Sequence, residues 1–204
     1  MTVFSEAWNK RADRRGQINT NPNSATIHTA NNLTRTMDAA ARATLGVQAQ
    51  HTQSTFVLAY LQSKDAFLAF GIPTNKRATL AQNLNLTGPD YITWVPASGD
   101  GNLHGEMTII RWLKDNEVVT DKSLLGGDLT VVCTGKPVCA DCCGFMTKYN
   151  IVHGVQCGGG SDQGWRHPYT SAAFRGETQA DFTYQKSSKY KGSATLLTPN
   201  PSRK

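Results

Sequence analysis

The sequence predicts an α/β protein in three layers, a central mixed sheet covered by helices. Three observations carry that expectation. From residue 54 onward the apolar runs read strand, strand, loop, helix, strand, helix, strand. At 204 residues the chain is long enough for one full hydrophobic core and short for two. Apolar residues make up 39% and charged residues 18%, the balance of a folded domain rather than a disordered chain.

In chain order, residues 1–53 read as a basic N-terminal extension. It is polar and rich in Asn and Thr, with Lys10, Arg11, Arg14 and Arg15 beside a short helix. Within it, LTRTMDAAARATLG (33–46) sets Leu33, Met37, Ala40, Ala41 and Leu45 near helical spacing, with Gly46 as the stop. STFVLAYL (54–61) and AFLAFGI (66–72), parted by the polar QSKD, predict a β-hairpin. Turn signals at Gly88-Pro89, Pro96 and 98–101 predict a loop from 73 to 101. HGEMTIIRWLKD (104–115) predicts a helix with Met107, Ile110 and Trp112 or Leu113 on its apolar stripe. LTVVCT (129–134) reads as a short buried strand, 139–149 as a helix and IVHGVQ (151–156) as a last strand. The core thus spans 54–156. Residues 157–204 read as a C-terminal extension packed on the same domain: a Gly-rich turn at 157–160, a polar segment with Trp165, Arg166, His167 and Tyr169, and a basic tail.

The net charge of +6 sits on the flanks. Residues 1–50 carry +3 and 151–204 carry +4, whereas 51–100 are neutral and 101–150 carry −1. A basic rim around a near-neutral centre raises the local concentration of a polyanion such as nucleic acid; a mildly basic surface with no such partner is the plainer reading. No stretch approaches the roughly 18 apolar residues of a membrane span, so no membrane partner is expected. The first residues lack an apolar signal-peptide core, which leaves a cytoplasmic protein, or an effector domain exported as part of a longer chain, as the expected settings. All five cysteines, Cys133, Cys139, Cys142, Cys143 and Cys157, crowd into residues 133–157. An odd, clustered set is a poor disulfide framework and fits a metal site in a reducing compartment better.

The residues that carry chemistry are His104-Gly105-Glu106 and, further on, Lys136-Pro-Val-Cys139-Ala-Asp-Cys142. Each lies where a helix should begin. Cys139 and Cys142, three apart, share a helix face and can clamp one ion, and His104 from the other helix supplies a third ligand. Three protein ligands leave tetrahedral zinc one position for water, the arrangement of a catalytic site. Glu106, two residues past the histidine, should point to the open side without binding the metal, where a carboxylate can take a proton from water and pass it to a leaving ammonia. One His, two Cys and a nearby Glu form the signature of zinc deaminases.

In these motifs the chain resembles the cytidine deaminase superfamily, over roughly residues 54–156. The resemblance implies that fold, His104 as the nitrogen ligand, Cys139 and Cys142 as sulfur ligands and Glu106 as proton shuttle. Within the superfamily, HGEM followed by CADCCGFM most resembles the bacterial toxin-type deaminases that edit nucleic acid, which would add an immunity protein as a partner. The family motif sets proline directly before the first cysteine; here Val138 intervenes.

The expected activity is therefore hydrolytic deamination of cytosine to uracil in nucleic acid, single-stranded DNA first. Its rivals are a deaminase of free cytidine or deoxycytidine, an adenine-directed enzyme, and a non-catalytic zinc-stabilised binding module. A structural zinc knuckle would need a fourth ligand, for which Cys143 is the nearest offer, or Cys143 could replace Cys142. Cys133 and Cys157 read as small buried hydrophobes, His153 as structural, and His28 and His51 have no assigned role. For substrate contact the sequence offers Trp165, His167 and Tyr169 as a stacking segment, Trp94 ahead of the His104 loop, and Asn75 or Asn102 against the sugar.

Overall fold

The computed structural model describes residues 30–46, 55–99, 101, 103–116, 127–153 and 165–168. The expected helix near the start, the basic cluster at 10–15, His28, His51, the turn at 157–160, Cys157 and the basic tail lie outside the described residues.

The elements run α1 (Ala30–Leu45), β1 (Phe56–Leu61), β2 (Ala66–Phe70), α2 (Arg77–Asn83), β3 (Ile92–Trp94), α3 (Gly105–Asp115), β4 (Leu129–Thr134), α4 (Ala140–Lys148) and β5 (Val152–His153). The strands form one mixed sheet in the order β3-β2-β1-β4-β5. β1 lies antiparallel to both β2 and β4, while β2/β3 and β4/β5 are parallel. Parallel neighbours need a crossover; α2 makes it for the first pair and α4 for the second.

β1 and β4 have every residue buried, as expected of strands covered on both faces. Alternation along them separates two cores. Val57, Ala59, Leu61, Leu129, Val131 and Cys133 pack with residues of α3 and α4. Phe56, Leu58, Tyr60 and Val132 pack with residues of α1 and α2. α1 is also tied to the sheet by Thr134 Oγ1, which donates to Asp38 Oδ1 at 3.2 Å. The polar QSKD connection is a turn of 3-10 helix closed by Asp65 at φ 48°, and Tyr60 Oη donates to Asp65 Oδ1 at 2.7 Å. Gly46 ends α1 at φ +82°, the left-handed conformation a glycine stop supplies.

One expectation needs correction. The segment 73–101 is not all loop, since it holds α2 and β3. Only Leu80 and Ala81 of α2 are buried, too few to write a helical period, and β3 is a three-residue edge strand. The last strand, expected over 151–156, is described only for Val152–His153. Among the described residues no helix is long and apolar enough to cross a membrane.

Candidate metal centre

α3 and α4 begin on the same face of the sheet, and both ligand-bearing motifs sit at their first turns. His104 is the residue capping α3, in extended conformation at φ −63° and ψ 154°. Cys139 caps α4 in nearly the same conformation, φ −67° and ψ 160°. Its sulfur accepts from the Cys142 backbone N–H at 3.3 Å, the bond an N-cap side chain makes to a first-turn amide. Cys139 is therefore the cap of the helix and not a member of it. Val138, between Pro137 and Cys139, is buried in the same core as Cys142.

The helix start of α3 is set by close packing. A Cβ on Gly105 would lie 2.8 Å from Val57 Cγ2 and 3.0 Å from Phe70 Cδ1, so only glycine lets α3 rest this closely on β1 and β2. Thr108 then donates from Oγ1 to the His104 carbonyl at 3.0 Å and holds the first turn closed.

These caps bring three donors together. His104 Nδ1 lies 3.4 Å from Cys139 Sγ and 3.4 Å from Cys142 Sγ, and the three ligand atoms fall within 4.8 Å of one another. The group can hold a metal ion. Cys142 is fully buried, and His104 and Cys139 are partly so. The electrostatics divide the sulfurs. The Cys139 thiol is drawn down to about 5, chiefly by the hydrogen bond from the Cys142 thiol and then by His104 and the Cys142 amide, against the push of burial. Burial pushes the Cys142 thiol well up, and its bond to Cys139 and the charge of Glu106 add to this. Ligation needs both sulfurs as thiolates, so a metal ion must displace the Cys142 proton.

Glu106 is 3% exposed and does not belong to the donor group. Burial raises its carboxyl above the ordinary range; its own backbone amide, the Cys133 thiol and His104 pull the other way, and negative Cys139 adds to the rise. Burial of this kind disfavours the charged form of a carboxyl.

The other sequence candidates are spread more widely. Cys143, fully buried one residue past Cys142, is disulfide-bonded. It is thereby removed from the donor set, and the cysteines are not all thiols as the sequence led us to expect. Trp165 is 7% exposed and packs with Phe145 of α4, ring centroids 6.4 Å apart, so its faces are spent on the core. His167 is half-buried and meets Phe145 edge-on at 5.3 Å. Trp94 packs with the core on the α1/α2 face, under the Arg77 guanidinium at 4.6 Å. Asn75 is exposed in the 3-10 turn after β2. Asn102 and Tyr169 lie outside the described residues. His153, expected to be structural, is buried with Nε2 3.2 Å from Thr147 Oγ1, joining β5 to α4.

Sequence reasoning passed over Cys133 as a buried hydrophobe. It lies beside Glu106, a contact across two elements that leaves no local signal. No protein-family model matches the chain, and neither does a curated protein or a solved structure.

Proposed function

We propose that the chain is a zinc-dependent deaminase of the cytidine-deaminase-like fold, removing the amino group of cytosine in nucleic acid, single-stranded DNA first. The observation that carries this reading is the His104–Cys139–Cys142 cluster with a buried carboxyl two residues past the histidine. Zinc at about 2.3 Å from sulfur and about 2.0–2.1 Å from nitrogen, in tetrahedral geometry, sets S and N roughly 3.5 Å apart. The 3.4 Å separations at His104 Nδ1 match that spacing.

Zinc, when bound, would supply an acidified water as the nucleophile. His104, Cys139 and Cys142 would bind the metal, and the first turns of α3 and α4 keep these side chains in place. Glu106 takes one proton from the attacking water and delivers it to N3 of cytosine, then takes the second from the hydroxyl added at C4 and gives it to the departing amine. Water and cytosine become uracil and ammonia. The burial that raises the Glu106 carboxyl suits a group that must both take and give a proton.

The choice of a polymer rests on the basic flanks of the sequence and on residues beyond the 54–156 core. With Trp165 in the core and Trp94 under Arg77, neither is assigned to base stacking here. Incubating the zinc-loaded protein with single- and double-stranded DNA, RNA and free nucleosides, then sequencing the polymers and separating the nucleosides, tests the reading. Cytosine-to-uracil conversion in single strands, with duplex poorer because a paired base must first be extracted, is the expected result. Faster consumption of free cytidine would replace the polymer with a nucleoside. No conversion of any substrate by a zinc-replete protein would leave a binding module.

A further inference from the structure

Cys133 is the last inward-facing residue of β4 before the chain turns toward Cys139. Leu129, Val131 and Cys133 share the face that packs on α3 and α4. Cys133 pairs across the sheet with Val57, the residue on which Gly105 rests. The sheet therefore delivers this thiol to the first turn of α3, and Glu106 is the next residue. Cys133 is 8% exposed, and its Sγ donates to the Lys136 carbonyl at 3.6 Å, a long bond for a weak donor. Two acceptors thus surround one S–H: that carbonyl and the Glu106 carboxyl.

We propose that Cys133 is the positioning residue for Glu106, its S–H donating to the carboxyl and fixing the orientation from which Glu106 reaches the space beside His104, Cys139 and Cys142. The thiol suits the task because it remains a donor. Burial pushes its ionisation far up, and the neighbouring negative groups, Glu106 first and Cys139 and Asp38 after it, push the same way. With the Lys136 carbonyl as second acceptor, rotation about the Cβ–Sγ bond keeps the hydrogen satisfied when Glu106 turns toward substrate. Cys133 touches no substrate and acts only through Glu106.

The catalytic part of this inference rests on the deaminase reading, so the test has one readout that needs turnover and one that does not. Cys133→Val keeps the bulk and removes the donor; Cys133→Ser keeps a donor. Cys133→Val should retain zinc and KM and lose about tenfold or more in kcat, the scale of one hydrogen bond to a charged group. Cys133→Ser should recover most of that loss. A parental kcat in Cys133→Val, or equal losses in both variants, would overturn the role. Independently of turnover, the infrared S–H stretch that disappears in Cys133→Val should move to higher frequency in Glu106→Ala, as the thiol loses its stronger acceptor. An unmoved band sinks the contact even if the protein deaminates. A shifted band in a protein that turns over no substrate keeps the contact and removes only the reaction.

Discussion

In the proposed reaction Glu106 moves the protons and holds no metal. It is buried beside the donor cluster and is not one of the donors. Glu106→Ala should therefore keep the metal and the melting temperature while lowering turnover by about 10²–10⁴, the range of a general acid–base group. Residual activity within tenfold of the parent, in a protein with full metal content, would remove the proton-shuttle role. His104, Cys139, Cys142 and Glu106 were legible because their spacing is local and each set stands at a helix start. The contact between Cys133 and Glu106 was not legible, since it depends on Val57 pairing with Cys133 and on α3 resting on Val57. Trp165 looked like a stacking residue because its neighbours in sequence are aromatic and cationic. The surface that buries it, Phe145, belongs to another element.

At the level of elements, the β1–β2 hairpin is held at its turn by the bond from Tyr60 to Asp65. Burial raises the Tyr60 hydroxyl above its ordinary value of 10, and the bond and charge of Asp65 raise it further. A raised folded-state pKa gives stability that is complete below the unfolded value and is lost as the pH climbs past it. Stability of the parent should thus fall above about pH 10. Tyr60→Phe should lack that part of the decline and be weaker near pH 8 by about 0.5–1.5 kcal/mol, the net worth of a hydrogen bond. Equal stabilities of parent and Tyr60→Phe near pH 8 would show that the bond contributes nothing. The hairpin was readable from two apolar runs around a polar turn, and α1, α3, β4 and α4 from their periods and lengths. α2 and β3 were missed for want of pattern: seven residues with two buried, and three residues on an edge.

Across the whole molecule, the sheet separates two tasks. The α1/α2 face is a core without donor clusters among the described residues, while the α3/α4 face carries His104, Cys139 and Cys142 at adjoining helix starts. A metal ion there joins α3 to α4, so its removal by a chelator should lower the melting temperature as well as stop turnover. The proposed function depends on an ion being held by those three side chains. The most direct test is elemental analysis of the purified protein and four alanine variants. One zinc per chain is expected in the parent and in Cys143→Ala, and close to none in His104→Ala, Cys139→Ala and Cys142→Ala. A parent free of zinc after zinc-supplemented purification, or a Cys142→Ala variant that keeps it while Cys143→Ala does not, would contradict the account.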